Sequence, residues 1–354
     1  MTTDTKLPAD IKELTALRFF AAIWVPCVHV HFFFNSGPAS GFGVLAYSWL
    51  GVEWFFALSG FILCHVYGGR HPLQYGAFVW SRLSRIYPVH LFTLVLMVVL
   101  AAALGSSAPL GAVAGHAVMV QAWGVIKREY LNFPAWSVSA EWFAYLLFPL
   151  ALYFFEEAMR RPRLIAALTL SATLSMAFAY LHTTHHEFNG ETVTWGLVRI
   201  IPSFAVGRAL YALASKTVLP PVIVERALWA CLLLAVVVML LRPRAWSMLP
   251  ELWGILFFAA LRARAAAPNV LRHPYLQYLG RVSYSIYMTH WPFWSGLLLL
   301  GRIFAPHLHR LPHWSVAPAY IAIIPVGAAT YHCVEKPARA WMRRHDPFAT
   351  RTAA

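Results

Sequence analysis

Residues Leu14–Phe34 read LTALRFFAAIWVPCVHVHFFF. This apolar stretch matches the ~20 residues that a helix needs to cross a bilayer. It also carries Arg18 and His29, eleven positions apart. On an α-helix that separation is about 1,100° of rotation, roughly 20° past three full turns, with a rise of about 16 Å. The two groups therefore share one face at two depths. A charge and a titratable ring inside a membrane helix are costly, and such groups usually face a cavity and mark a functional path.

The rest of the chain repeats the apolar pattern. Of its 354 residues, 60% are hydrophobic and 12% charged, and the mean hydropathy is +0.59. A soluble domain needs far more polar surface, so the sequence predicts an all-α, polytopic membrane protein. Ten spans can be drawn: Leu14–Phe34, Val44–Tyr67, Ile86–Leu104, Ser137–Phe155, Leu164–His182, Gly196–Ala214, Ala227–Leu241, Met248–Leu261, Leu276–Leu300 and Val316–Cys333. The apolar but short segment Pro109–Val125 reads as re-entrant or interfacial. No repeat and no soluble domain stand out, so residues 1–354 are expected to form one membrane domain with its spans between about 14 and 333. The first span is interrupted by His29, His31 and Asn35, and no small-residue cleavage site follows, so it is expected to be retained rather than removed as a signal peptide.

Charge orients these spans. With the N-terminus in the cytoplasm, all of the 28 Lys and Arg lie in or beside inner loops except Lys127, Arg128, Arg199, Arg242, Arg244, Arg302 and Arg310. That bias fits an even number of helices and two cytoplasmic termini. The net charge of +14 thus reads as basic inner loops and an anionic ligand. No basic run, zinc pattern or RNA-binding motif supports a nucleic-acid partner. The four cysteines, Cys27, Cys64, Cys231 and Cys333, fall in apolar stretches without metal-site spacing and read as small hydrophobes.

Several polar groups inside the spans could carry chemistry. Arg82 and Arg85, in SRLSRIYP, sit at the inner end of the third span and share a face. With Arg18 they form a basic level suited to a phosphate-rich ligand, since guanidinium groups fork onto phosphate oxygens. His29 suits proton transfer at neutral pH, with His31 as the alternative two positions on. Only 14 residues are acidic, which makes Glu53 and Glu141 informative. Each needs a partner, either His29 as an orienting carboxylate or a structural ion pair or hydrogen bond. In LGRVSYSIYMTHWPF, Tyr284, Tyr287 and His290 fall within two turns and could line a polar cavity. Ser59-Gly60 permits close helix packing. No Walker motif, dinucleotide fingerprint or nucleophile elbow is present.

Taken in order, these pieces resemble the acyltransferase family 3 membrane proteins. ALRFFAAIWVPCVH is similar to the family's R-x10-H motif at Arg18 and His29, WFFALSGFIL to its second-helix signature beside Glu53, and SRLSRIYP to its R-x-x-R element. NFPAWSVSAEWFAYLLFP, LGRVSYSIYMTHWPF and VEKPAR resemble later elements. The resemblance implies transfer of an acyl group, usually acetyl, from cytoplasmic acetyl-CoA to a hydroxyl on a bacterial surface carbohydrate, across the inner membrane. It implies His29 as the catalytic residue with Glu141 and Glu53 beside it. Arg18, Arg82 and Arg85 are expected to bind the coenzyme. Trp136, Ser137, Tyr284, Tyr287 and His290 are expected to bind substrate, with no metal involved and polysaccharide-assembly proteins as candidate partners. Direct transfer and an acyl-histidine intermediate both fit. A transporter or flippase for a sugar-lipid or anionic substrate is the alternative reading of the same polar residues.

Overall fold

The computed structural model describes residues 6–35, 43–68, 73–153, 161–184, 192–194, 196–241, 245–265 and 267–349. Arg70, Arg160, Arg242, Arg244 and Arg351 of the charge pattern lie outside the described residues, as does most of the segment between His182 and Trp195. The described chain is helical. Its only β-type contact is an isolated bridge between Phe34 and Leu311. In order, the helices are α1 (Lys12–Trp24), α2 (Pro26–Phe33), α3 (Leu50–Tyr67), α4 (Tyr75–Ala103), α5 (Leu110–Ala117), α6 (Ala135–Tyr153), α7 (Pro162–Thr184), α8 (Gly196–Lys216), α9 (Pro221–Leu240), α10 (Leu249–Arg262), α11 (Pro274–Phe304), α12 (Val316–Thr330) and α13 (Lys336–Arg344).

Among the described residues, six stretches are long and apolar enough to cross a membrane: Lys12–Phe33, Leu50–Tyr67, Tyr75–Ala103, Gly196–Lys216, Pro221–Leu240 and His313–Arg344. The structure thus supports a multi-pass membrane protein but does not establish ten spans. Helix α10 has 14 residues, about 21 Å at 1.5 Å per residue and short of the ~30 Å hydrocarbon core. Helix α11 is long enough, but buries Gln277, Ser283, Ser285, Thr289, His290 and Ser295.

Two spans differ from their sequence-based bounds in ways that matter for the site. The first is divided at Pro26, whose ring nitrogen offers no hydrogen to the helix. Val25 keeps helical dihedrals and still donates to the Ala21 carbonyl at 3.2 Å, so α2 continues roughly along α1. The third span begins eleven residues earlier than Ile86, so Arg82 and Arg85 lie within α4 rather than at its inner end. Pro88 sits inside the helix, as membrane helices permit when neighbours satisfy the freed backbone. The segment after Pro109 forms the short α5 and a π turn, Gln121–Val125, in which Gly124 has φ +80°. Cys64 is buried, Cys27 and Cys231 are half-buried and Cys333 is exposed, so a buried hydrophobe describes Cys64 fully and Cys333 not at all.

Glycines set the helix separations. A methyl group at Gly60 on α3 would fall inside the Phe204 carbonyl of α8, and one at Gly207 inside the Ala57 carbonyl of α3. The Ser59-Gly60 pair therefore does permit backbone-to-backbone packing, the small-residue device of membrane bundles. Gly280 of α11 likewise leaves no room for a Cβ beneath the Thr15 carbonyl of α1. Gly296, further along α11, has its nearest neighbour, Leu100, at 4.0 Å. Gly280→Val is expected to destabilise the protein by about 1–3 kcal/mol or more, as overpacking does, while Gly296→Ala changes little. Thermal unfolding in detergent checks this; equal melting temperatures for the two variants would contradict the packing argument.

Candidate active site

Among the described residues, three of the polar groupings inside the bundle hold the side chains singled out in the sequence. The first surrounds a cavity of about 280 Å³ lined by Arg18, Arg82, Arg85, Ser137, Glu141, Tyr145, Tyr284 and Tyr287 among its polar residues, with Ser59 beside Glu141. Helix periodicity explains the selection: Ser137, Glu141 and Tyr145 recur every four residues on α6, and Tyr284 and Tyr287 are three apart on α11, so each set forms a stripe on one face. Arg82 donates to the Tyr67 hydroxyl at 3.2 Å and lies 5.5 Å from the centre of its ring. Arg18 and Arg85 make no hydrogen bond or ion pair to another described side chain. Glu141 accepts from the Ser59 hydroxyl and from the Tyr145 hydroxyl at 2.5 Å. Tyr284 donates to the Ile86 carbonyl at 2.6 Å, tying α11 to the arginine-bearing turn of α4. At the α11 end of the cavity, Tyr287 and Ser137 hydroxyls meet at 2.8 Å and both reach the Pro134 carbonyl.

The second grouping begins one turn further along α11 than Tyr287. His29 Nδ1 lies 2.9 Å from His290 Nε2, and His290 Nδ1 lies 2.6 Å from the Tyr287 carbonyl. His29 is 5% exposed and His290 fully buried. Phe133 and Trp291 close around His29, their ring centres 5.2 and 5.4 Å away. Asn132 fixes the approach of this loop. Pro292 has no N–H for the Met288 carbonyl one turn earlier on α11, and the Asn132 amide donates to that carbonyl at 3.0 Å. His31 is only partly buried and packs on Phe32.

The third grouping is an ion pair. Arg199 Nε donates to Glu53 at 2.8 Å, and the Ser203 hydroxyl donates to the other carboxylate oxygen at 2.6 Å. Both charged side chains are essentially excluded from solvent. The guanidinium lies 4.4 Å from the centre of the Trp136 ring, an attraction that strengthens on desolvation.

These placements correct several expectations. Neither Glu53 nor Glu141 pairs with His29. Glu53 is the structural ion pair of α3 and α8, and Glu141 sits among the arginines. Trp136 does not line the cavity, because it is adjacent to Ser137 and a one-residue step turns the helix by about 100°. His290 bonds to His29 instead of lining the cavity. The basic level and the imidazole do not share one cavity, since the lining on α11 stops at Tyr287. Arg199, already inside the drawn span Gly196–Ala214 but given no role there, is buried in α8 as the partner of Glu53. Glu335, passed over inside VEKPAR, is 4% exposed and accepts from Ser285 at 2.6 Å; its signal was an acidic residue at the end of an apolar span. In the loop before α6, burial pushes the Glu129 carboxyl up to about 8, and its contact with Thr192 offsets this only in part.

Comparison with known proteins places the chain. The family model described as an acyltransferase domain, acyltransferase 3, matches residues 11–332. The chain belongs to this acyltransferase family. It is similar to the acyltransferase MdmB of Streptomyces mycarofaciens, 28% identical over 391 aligned positions that cover 96% of this chain and 94% of that protein. It is also similar to protein 2 in the picA locus of Rhizobium radiobacter, 38% identical over 87 residues, which cover 24% of this chain and 42% of that relative. No solved structure matches it. Family membership and apolar helices together make the protein a multi-pass membrane acyltransferase.

The ion pair yields a test of structure against chemistry. Glu53→Ala leaves Arg199 buried without its partner and is expected to cost about 3–5 kcal/mol of stability. Glu53→Leu combined with Arg199→Met is expected to recover most of that loss. Thermal unfolding and acyl transfer per folded molecule separate the effects; full stability of Glu53→Ala would contradict the pairing.

Proposed function

We propose that this acyltransferase moves an acyl group, acetyl in the first instance, from cytoplasmic acyl-CoA to a hydroxyl of a bacterial surface or exported carbohydrate. In this reading it resides in the inner membrane with both termini in the cytoplasm, and it can work beside polysaccharide-assembly proteins. One observation carries the donor assignment: Arg18, Arg82 and Arg85 converge from α1 and α4 on one cavity, and two of them bond no other described side chain. Coenzyme A carries a pyrophosphate and a 3′-phosphate, and guanidinium groups match phosphate oxygens in geometry as well as charge. The cavity sets three arginines against Glu141, an excess of positive charge that is costly in a membrane and fits occupation by an anion.

In this reading the pantetheine arm leaves the cavity past Tyr287 and Ser137, and the packed side chains between that end and His29 part to let it through. At the far end His29 takes the proton of the acceptor hydroxyl, whose oxygen attacks the thioester carbon; the carbon–sulfur bond breaks and coenzyme A leaves. Positioning both reactants in a dry pocket can supply some 7–11 kcal/mol in favourable cases. General-base assistance adds about 10²–10⁴-fold. Glu141, held by Ser59 and Tyr145, offsets part of the positive charge at the donor end. The acceptor approaches from the side of His29 away from the arginines.

His29→Ala is expected to abolish transfer to the acceptor while the protein still inserts and purifies; full activity would reject the assignment. Arg82→Ala or Arg85→Ala is expected to raise KM for acyl-CoA by tenfold or so with a smaller effect on the acceptor, as lost anchoring does. Steady-state kinetics in proteoliposomes reads both. The opposite KM pattern would move the pair to the acceptor site.

A further inference from the structure

His29 has a partner, and it is a second imidazole. A carbonyl oxygen only accepts hydrogen bonds, so His290 Nδ1, 2.6 Å from the Tyr287 carbonyl, carries a hydrogen. In a neutral ring the other nitrogen then holds a lone pair. That nitrogen, Nε2, faces His29 Nδ1 at 2.9 Å, so His29 Nδ1 donates. The two ring planes differ by 1° with their centres 5.1 Å apart, which suits an N–H···N bond because both the hydrogen and the lone pair lie in the ring planes. No carboxylate bonds either ring among the described residues, and their surroundings are Phe133, Trp291 and Trp294. Two adjacent cations in such a setting are excluded by the cost of burying charge.

We propose that His290 is a positioning residue that holds His29 in its Nδ1–H tautomer, so that His29 Nε2 is the atom that receives the acceptor's proton. This rests on the reading of His29 as the catalytic base. The step balances as follows. The hydroxyl proton passes to His29 Nε2, the oxygen forms the new ester bond, and the thioester carbon–sulfur bond breaks. The proton on Nε2 then protonates the departing thiolate, which regenerates the neutral ring. During the step, the transient imidazolium keeps its Nδ1–H bonded to His290 Nε2, with the Tyr287 carbonyl dipole behind it. Orientation comes here from an imidazole backed by a peptide carbonyl rather than from the carboxylate of other base–orienter pairs.

Two substitutions split the role. In His290→Gln the amide oxygen can reach the position of Nε2 and still accept from His29. In His290→Asn the amide nitrogen can stand in for Nδ1 and keep the Tyr287 bond, but nothing accepts from His29. His290→Gln is expected to retain kcat within about tenfold, and His290→Asn to lose about 10²-fold or more, with KM for acyl-CoA unchanged in both. A residue that only packs would give equal losses. Nitrogen-15 spectra of histidine-labelled protein in nanodiscs read the tautomer directly, and His29 is expected to show protonated Nδ1 and bare Nε2. Equal activities of the two variants, or a protonated Nε2 on His29 in the neutral wild-type protein, would overturn the proposal. If His290→Asn fails to fold, the wild-type spectrum decides. An active His29→Ala protein would remove the base itself, whereas an essential His29 beside a fully active His290→Asn protein would remove only the role of His290.

Discussion

The contact of α1 with α11 at Gly280 is the constraint on which the site depends. There the Thr15 carbonyl occupies the space of a side chain, and the two helices meet backbone to backbone. Each later pairing follows from that starting point. About one turn on, Arg18 of α1 and Tyr284 of α11 face the same cavity. After the break at Pro26, His29 of α2 meets His290 of α11. The arginine-lined cavity and the imidazole pair thus lie in succession along α11, beside Tyr284 and at His290.

Lipid dictates how the remaining polar groups are treated. A polar group in hydrocarbon finds its partner within the protein or is costly to keep there. Glu53 and Arg199 satisfy one another and hold α3 to α8. Asn132 takes up the carbonyl that Pro292 leaves open, and that bond draws the loop before α6 over His29. The arginines of the cavity differ: Arg18 and Arg85 bond to no other described side chain, although the carboxylates of Glu141 and Glu335 lie close enough to act on Arg18. In the proposed reading, an anionic ligand completes the charge balance of that cavity.

Much of this was legible in the sequence because it is periodic. The Arg82–Arg85 spacing and the apolar runs follow from helix geometry applied to neighbouring residues, whereas the shared Arg18–His29 face did not bring the two groups to one cavity. The pairings were not legible, because they join distant parts of the chain. Glu53 and Arg199 lie 146 positions apart, and His29 and His290 lie 261 apart. The span Gly196–Ala214 already held Arg199, but hydropathy does not say which carboxylate a buried arginine meets. Hydropathy also started the third span at Ile86, which left Arg82 and Arg85 outside a helix that contains them. Pro26 was hidden because a proline at the first position of a helix interrupts the apolar pattern very little.

The most direct test of the account is a structure of the protein in nanodiscs with a non-transferable thioether analogue of acetyl-CoA. The account predicts density for the phosphates against Arg18, Arg82 and Arg85, an arm passing Tyr287 and Ser137, and the acyl carbon beside His29 Nε2. An analogue bound away from these arginines, or one whose acyl end lies far from His29, would contradict it.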